Sequence, residues 1–148
     1  MRKKDMDMKN STIKTLAITL TLWVPNYGVA QDVTQEVLQE YMEFSDYFAG
    51  IIVPEQLTKD FFDAVTFIDT RNAKQFEKNT IPGAVNIEWR DVFGRIDEIP
   101  KDKKVVLFCN TGSLSAQAAF ALRATGHENV LLLQTGLIGW TEKAAYKP

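Results

Sequence analysis

The residue best suited to chemistry in this chain is its single cysteine, Cys109. The apolar run Val105–Phe108 leads into it, and the mostly small and polar residues 110–116 follow it. Where a helix begins directly after such a loop, its unpaired backbone N–H groups and its positive dipole end lie beside the loop. Both stabilise an anion, so they favour a thiolate and an anionic substrate at the same place. The pattern predicts a nucleophilic cysteine.

A lone cysteine is also a small apolar residue that often serves only to fill a core. Two further features favour catalysis here. Cys109 follows a predicted strand, and open α/β sheets place their sites at the carboxyl ends of strands. Gly112 and its small neighbours Thr111 and Ser113 let the backbone curve around a ligand. We therefore interpret Cys109 as a catalytic nucleophile.

The composition bounds the class of protein. A length of 148 residues allows one domain, and contents of 45% hydrophobic and 24% charged residues are ordinary for a globular protein. The formal net charge of -2 argues against nucleic-acid binding, which usually needs a basic face. With one cysteine and one histidine, the chain has no internal disulfide and no metal site built from several of these residues. We expect no metal and no organic cofactor.

Residues 1–30 differ in composition from the rest of the chain. They combine a basic start, the apolar run of residues 16–24 and the small residues Gly28 and Ala30. This order is typical of a secretory signal peptide, here cut after Ala30, and it predicts a periplasmic or secreted protein. The apolar run is shorter than the ~20 residues that a membrane span needs, so an uncleaved membrane anchor is only the second interpretation.

The chain that follows alternates helical and strand patterns. Residues 31–53 are predicted as an N-terminal helical extension, with a helix over residues 31–49, and residues 54–148 as the main domain. Buried strands are expected in four segments of the main domain: residues 65–69, 85–87, 104–108 and 130–133. Helices are expected at residues 72–77, 89–96, 115–124 and from 136 onward. Such alternation predicts an α/β fold with a mostly parallel central sheet.

Four motifs resemble those of the rhodanese-like sulfurtransferases. They are Phe-Ile-Asp-Thr-Arg at residues 67–71, Ile-Pro-Gly-Ala-Val-Asn-Ile at 81–87, the Cys109 loop, and Gly-Leu-Ile-Gly-Trp at 136–140. Their order and spacing resemble that family from about residue 54 to residue 140. The Cys-Asn-x-Gly loop and the predicted export signal look most like the single-domain periplasmic members of the phage-shock protein E type.

The resemblance implies a three-layer α/β/α domain in which Cys109 carries the transferred sulfur. Its thiolate takes the outer sulfur of a donor such as thiosulfate, and cyanide, a thiol or a protein acceptor removes that sulfur from the resulting persulfide. Backbone N–H groups of residues 111–115 hold the anion, as an oxyanion hole does. The implied substrate-binding residues are Arg71 and the loop residues Asn110, Thr111, Gly112, Ser113, Leu114 and Ser115, and Asp69 has a supporting role.

The loop itself carries no charged residue. Ser113 and Leu114 stand where many members of the family have arginine or lysine. A donor dianion then depends on backbone amides, on the helix dipole and on any arginine that reaches in from elsewhere. Phosphatases that share the fold need an arginine, which clamps phosphate, at the position that Ser115 holds here. Phosphatase activity is therefore not expected.

Other residues near the predicted site have two interpretations. Arg71 attracts the anion, or it forms with Asp69 an ion pair that anchors the loops, which is the favoured interpretation. Arg90 and Arg95 are expected on the solvated surface. His127 is expected in an exposed turn without a functional role.

Two functions from different classes follow. The first is an enzyme that turns over a small sulfur donor with a thiol or cyanide acceptor. The second is a persulfide carrier, or an anion-binding module, that acts with a partner protein and without efficient turnover. A redox role is disfavoured because no second cysteine can resolve a disulfide. Neither function predicts contact with nucleic acid, and a membrane would be met only through an uncleaved signal segment.

Overall fold

The computed structural model describes residues 27–148, with side chains described from Thr34 onward. The signal peptide predicted at residues 1–30 therefore lies outside the described residues, except for the backbone of its last part. Within the described part, every helix is too short or too polar to cross a bilayer.

Short parallel strands form one central sheet. The strands are β1 (Ile51–Ile52), β2 (Thr66–Asp69), β3 (Val85–Asn86), β4 (Val105–Phe108) and β5 (Val130–Leu133). Their order across the sheet is β1-β5-β4-β2-β3, and each neighbouring pair is parallel. The predicted α/β class with a parallel sheet is confirmed. β1 precedes residue 54, so the sheet includes part of the predicted N-terminal extension.

Helices connect the strands and cover both faces of the sheet, which completes the three layers. They are α1 (Tyr27–Phe44), α2 (Lys59–Ala64), α3 (Ala73–Lys78), α4 (Ser113–Ala124) and α5 (Gly136–Lys143), with short 3-10 turns at Pro54–Gln56 and Ile96–Glu98.

The central strand β4 shows why the sheet is covered on both faces. All of its residues are buried, and they alternate between two apolar clusters. Val105 and Leu107 pack with side chains of α4 on one face. Val106 and Phe108 pack on the other face, where Leu137 of α5 also lies. A continuous apolar run buried on both sides is what a central parallel strand requires.

The register of β2 against β4 positions the candidate site. Asp69, the last residue of β2, lies opposite Phe108, the last residue of β4. Thr70 then joins the two strand ends, because its N–H and its hydroxyl both donate to the Phe108 carbonyl, at 2.8 and 3.0 Å. Arg71 and Cys109 therefore leave the sheet side by side at its carboxyl edge, where α/β sheets place their sites.

The helix predicted over residues 89–96 is wrong, because the chain forms turns there. A few local bonds, such as that from the Arg95 N–H to the Asp91 carbonyl at 2.9 Å, are joined by tertiary hydrogen bonds. The Trp89 N–H donates to the Thr70 carbonyl at 3.0 Å. The Arg95 guanidinium donates to the Asn86 carbonyl at 2.8 Å. Trp89, Val92 and Ile96 pack into the core from this irregular backbone.

The N-terminal helix α1 ends at Phe44, earlier than predicted. The Ser45 hydroxyl donates to the Tyr41 carbonyl at 2.5 Å at this end and so satisfies a carbonyl of the last turn. The Tyr41 side chain docks α1 on α4. Its ring meets Phe120 edge-on at 5.5 Å, and its hydroxyl accepts a hydrogen bond from Arg123 Nε at 3.1 Å.

His127 is buried, so the expectation of an exposed histidine is wrong; only 8% of its surface is exposed. Gly126 follows α4 with a φ of +94°, and the His127 N–H then donates to the Leu122 carbonyl at 3.0 Å. Neither ring nitrogen has a hydrogen-bond partner among the described residues. A glycine after a helix predicts the turn, but it does not predict whether the next side chain is buried or exposed.

Candidate active site

Cys109 lies in the short loop between β4 and α4, and it is only 3% exposed. Gly112 closes the loop with a φ of +100°, a left-handed conformation that favours glycine. α4 begins at the next residue, Ser113. The sharp turn brings the first N–H groups of the helix back to the cysteine sulfur.

Groups from the turn and the start of α4 donate hydrogen bonds to the Cys109 sulfur. The Gly112 N–H lies 3.2 Å from Sγ, and the Ser115 hydroxyl oxygen lies 3.6 Å from it. The same hydroxyl lies 3.0 Å from the Gly112 carbonyl oxygen, so its one hydrogen serves either acceptor. A negatively charged sulfur favours the bond to Sγ, because hydrogen bonds to charged acceptors are the stronger ones.

The surroundings favour the thiolate form of Cys109. Burial raises the pKa of this thiol, whereas hydrogen bonds from the N–H and hydroxyl of Ser115, and from the N–H groups of Thr111 and Leu114, lower it. The hydrogen bonds outweigh burial, and the pKa of the thiol lies below its usual value. The sulfur is therefore a better nucleophile at neutral pH than an unassisted buried thiol.

The start of α5 holds the other side of the loop. The Leu137 N–H donates to the Cys109 carbonyl at 2.8 Å, and the Ile138 N–H donates to the Asn110 carbonyl at 3.1 Å. Gly136 permits this approach, because a β-carbon there would collide with the Cys109 carbonyl oxygen. Since α5 binds carbonyl groups of the loop, the N–H groups of the loop remain for the sulfur.

A buried ion pair lies beside the loop. Asp69 is fully buried, Arg71 is 3% exposed, and Nη2 of the arginine lies 2.5 Å from Oδ2 of the aspartate. Arg71 Nε donates to both carboxylate oxygens, at 2.9 and 3.1 Å. The Thr80 hydroxyl adds a further hydrogen bond to Asp69 Oδ2 at 2.9 Å. The carboxylate is well supplied with donors, as a buried charge requires.

Arg71 extends from this ion pair to the cysteine loop. Its Nη1 donates to Oδ1 of Asn110 at 3.0 Å and to Oδ1 of Asn79 at 3.4 Å. Its Nη2 also donates to the Asn79 carbonyl oxygen at 2.5 Å. Together with Asp69, these acceptors engage all five N–H donors of the guanidinium. Arg71 therefore meets the loop through Asn110, the residue directly after the cysteine.

The sequence was compared with models of known protein families to identify the family to which this fold and this cysteine loop belong. The family model of the rhodanese-like domain matches residues 53–143, which is more than half of the chain. The chain belongs to the rhodanese-like domain family.

Three similar proteins show how far the likeness extends. The chain is 36% identical over 76 residues to a sulfurtransferase of Allochromatium vinosum, covering 51% of this chain and 71% of that protein. It is 29% identical over 81 residues to "Putative sulfur carrier protein YrkF" of Bacillus subtilis, covering 55% of this chain and 44% of the relative. A rhodanese-related protein from Thermoplasma volcanium has a TM-score of 0.57 and 25% identity, over 62% of this chain and 89% of that one. The chain thus spans less than half of the Bacillus relative.

In this rhodanese-like domain, the predicted loop residues differ in exposure, and some contribute backbone N–H groups to the site while others contribute side chains. The side chains of Thr111, Ser113 and Leu114 are exposed, and two of these residues turn their N–H groups to the sulfur. Asn110 is half-buried against Arg71. Among the side chains from Thr34 onward, no group of three or more histidine, cysteine, aspartate or glutamate residues could hold a metal ion.

The two other arginines considered for the site pair with glutamates. Arg90 is exposed, as expected, and lies 3.0 Å from Glu88. Arg95 lies 2.6 Å from Glu98 and is half-buried.

Sequence reasoning missed two asparagines that support the rhodanese-like site. Asn86 donates from Nδ2 to the backbone carbonyls of Asp69 and Arg71, at 2.9 and 2.8 Å. It stands inside the Ile-Pro-Gly-Ala motif, which was a usable signal. Asn79 follows α3 and accepts from Arg71 through both its side chain and its backbone. An asparagine at the end of a helix is common, so nothing in the pattern marked Asn79 as part of the site.

Proposed function

We propose that this chain transfers a sulfane sulfur through a persulfide on Cys109. In the first step, the Cys109 thiolate attacks the outer sulfur of a donor such as thiosulfate. A bond forms between Sγ and that sulfur, the S–S bond of the donor breaks, and its electron pair leaves with sulfite. In the second step, cyanide or a thiol attacks the outer sulfur, and the electron pair of the broken bond returns to Sγ. Neither step needs a cofactor.

The observation that carries this proposal is the set of donors around one buried sulfur. The Gly112 N–H at 3.2 Å, the Ser115 hydroxyl at 3.6 Å and the amino end of α4 all favour negative charge there. The thiolate, the persulfide and the departing sulfite carry negative charge at nearly the same place. A cysteine that only filled the core would not need such donors.

We assign to Arg71 a part in substrate binding through position and charge. All five of its N–H donors are engaged, so it orients Asn110 instead of clamping the donor anion itself. Asp69 supports this role because its carboxylate forms the ion pair that holds the Arg71 guanidinium in place. The remaining contacts to the donor anion come from the N–H groups of residues 111–115.

The proposed loop favours donors of modest charge. Because its residues carry no cation, a dianion such as thiosulfate depends on N–H groups and on the dipole of α4. We therefore expect thiosulfate to bind weakly. A mercaptopyruvate-type donor, or a persulfide on another protein, can react with the same thiolate and brings less negative charge into the loop than thiosulfate does.

Mass spectrometry of the intact protein tests the proposal. After incubation with thiosulfate or a mercaptopyruvate-type donor, the chain should gain one sulfur on Cys109, and cyanide should remove it as thiocyanate. Cys109→Ser should gain none. Failure of every donor to load Cys109 would contradict the proposal.

A persulfide carrier that acts with a partner protein is the second candidate. The likeness to the Bacillus subtilis protein, whose name describes a sulfur carrier, supports it, as does the uncharged loop. Turnover of free donors distinguishes the two functions. An enzyme releases thiocyanate repeatedly from thiosulfate and cyanide, whereas a carrier is loaded only by a protein persulfide and discharges once.

We also propose that the chain is exported and loses residues 1–30. The basic start and the short apolar run of the sequence support this. Sequencing the N-terminus of protein from a periplasmic fraction should give Gln31 as the first residue. A membrane-bound chain that still begins at Met1 would support the anchor interpretation instead.

A further inference from the structure

The turn between α1 and β1 exposes three large aromatic side chains. Phe44 is 78% exposed, Tyr47 is 99% exposed and Phe48 is 84% exposed. Aromatic side chains have ~150–250 Å² of surface each, so these three present about 400–650 Å² to solvent. The largest apolar patch on a typical monomeric protein is about 300–600 Å², and such patches often bind a partner. This aromatic turn is therefore a candidate interaction surface.

Hydrogen bonds hold the aromatic turn against the domain. The Ile51 N–H donates to the Phe48 carbonyl at 3.2 Å, and the Leu132 N–H of β5 donates to the Gly50 carbonyl at 2.6 Å. Gly50 has a φ of +73°, and a β-carbon there would lie 2.7 Å from Arg123 Nε. The backbone of the turn is thus fixed by β5 and by the end of α4. Exposure of the aromatic side chains is therefore a property of the folded domain.

The aromatic turn shares one edge of the sheet with a second turn, at residues 101–104. Because all strands are parallel, the turns that precede β1 and β4 both lie at the amino edge, opposite Cys109. Only β5 separates these two strands, which places them about 10 Å apart. Asn129 ties the second turn to β5, since its Nδ2 donates to the carbonyls of Pro100 and Lys103 at 2.6 and 2.8 Å. The two turns therefore lie close together at one edge.

Opposite charges lie on the two sides of this amino edge. Four exposed acidic residues belong to α1 and the aromatic turn: Glu36, Glu40, Glu43 and Asp46. Three exposed lysines belong to the second turn: Lys101, Lys103 and Lys104. Asp102 and Glu128 are the acidic residues beside these lysines. Among residues 34–148, none of the four acidic residues and none of the three lysines forms a salt bridge. The chain thus carries unpaired charges of both signs beside one aromatic surface.

We propose that two copies of the chain pair through this amino edge. A two-fold axis at the aromatic turn brings the aromatic side chains of both copies together and places the lysines of each copy against the acidic residues of the other. The aromatic surface supplies half or more of the ~800 Å² that each partner of a standard interface buries. Charged groups then form the rim, as is usual in protein interfaces. An anionic membrane fits less well, because it would repel the acidic end of α1.

Sedimentation equilibrium of the full chain measures the pairing. The wild type should form reversible dimers, and Phe48→Ser should raise the dissociation constant at least tenfold, as expected for a central aromatic anchor. Ile138→Ser is the matched control, because Ile138 is also apolar and half-exposed but lies at the start of α5, at the carboxyl edge. It should dimerise as the wild type does. A wild type that stays monomeric up to about 1 mM, or an equal loss in both variants, would overturn the proposal.

Charge reversal tests the opposed arrangement of the two copies. One variant combines Lys101→Glu, Lys103→Glu and Lys104→Glu, and the other combines Glu40→Lys, Glu43→Lys and Asp46→Lys. Each variant then presents like charges to a copy of itself, so each should be monomeric when alone. An equimolar mixture should form heterodimers, because acidic residues again face lysines. All six residues are exposed, so these changes leave the core untouched. Wild-type dimerisation of either variant alone, or none in the mixture, would contradict the proposal.

Other occupants of the aromatic turn are distinguished on the same protein. Flotation of a monomeric chain with phosphatidylcholine vesicles would assign the turn to a membrane instead. A monomeric full chain in which Tyr47 resists nitration would assign the cover to residues 1–26. Sulfur loading of Cys109 should be the same in Phe48→Ser as in the wild type, because the cysteine lies at the opposite edge. Dimerisation is measured without any sulfur donor, so its outcome is independent of the proposed function.

Discussion

The Ser115 hydroxyl oxygen lies 3.6 Å from the Cys109 sulfur, inside the first turn of α4 and shielded from solvent. The helix fixes this distance, because the backbone of Ser115 cannot move without unwinding the turn that Gly112 begins. The serine therefore acts directly on the Cys109 sulfur. It is one of the groups that lower the pKa of the thiol, and it is the only side chain among them.

The first prediction concerns Ser115→Ala. The pKa of Cys109 should rise, because burial continues to raise it while one of the opposing hydrogen bonds is lost. At neutral pH the rate of thiol alkylation should fall about tenfold, the scale of one hydrogen bond to a charged group. The measurement is the alkylation rate against pH, which rises with pH until the thiol is fully ionised. In the variant this rise should move to higher pH.

Ser113→Ala is the control for that experiment. Its hydroxyl lies in the same turn, 3.2 Å from the Thr111 hydroxyl, and it is exposed. The pH profile of alkylation should be unchanged. Equal shifts in both serine variants would show that loop packing, and not the bond to sulfur, sets the pKa of the thiol.

The second prediction concerns the buried ion pair. Arg71→Met removes the guanidinium and leaves the Asp69 carboxylate buried without its charge partner, so the free energy of unfolding should fall by about 3–5 kcal/mol. Urea unfolding measures it. Adding Asp69→Asn to Arg71→Met should recover part of the loss, because the uncompensated charge is then gone. Wild-type stability in Arg71→Met, combined with weaker thiosulfate binding, would assign the arginine to the anion instead.

The third prediction concerns the contact between α5 and the loop. In Gly136→Ala, the new methyl group would collide with the Cys109 carbonyl, so α5 must withdraw from the loop. Both stability and sulfur loading should fall. Gly126→Ala is the control, since Gly126 also has a positive φ but has open space around its α-carbon. It should cost about 1–2 kcal/mol from backbone strain alone and leave loading of Cys109 intact.

The fourth prediction adds the missing cation. Leu114 is exposed at the start of α4, so Leu114→Arg places a positive charge next to the donor without disturbing the core. The specificity constant kcat/KM for thiosulfate should rise about fivefold at low ionic strength and lose this gain in high salt. Thr125→Arg, at the other end of α4, should change little. A salt-independent gain, or none, would show that charge in the loop does not limit thiosulfate.

The conformation of the Cys109 loop was predictable because it depends on residues that are close together in the sequence. An apolar run long enough for one strand, a cysteine, a glycine and then small residues determine β4, the turn at Gly112 and the amino end of α4. These features depend on residues close together in sequence, where strand, turn and cap signals are strongest. The start of α4 was still misplaced by two residues, since Ser113 and not Ser115 begins it.

The support around the loop could not be predicted because it depends on contacts between distant segments. Asn79 and Asn110 are distant in sequence, and both accept hydrogen bonds from Arg71. The turns at residues 89–96 keep their shape through a bond from Trp89 to Thr70. Burial of His127 depends on the turn after α4, in which the His127 N–H donates to the Leu122 carbonyl. Each of these outcomes requires the packed sheet, which no local pattern describes.

The hydrogen bonds between α5 and the cysteine loop have a consequence for biosynthesis. Translation produces Cys109 well before Leu137 and Ile138, the residues whose N–H groups bind the loop carbonyls. A ribosome-bound chain that ends short of α5 therefore carries a thiol whose loop carbonyls are still free. We therefore expect the thiol of a chain that ends before α5 to react more slowly with an alkylating agent than the thiol of the complete domain, because its loop lacks these bonds.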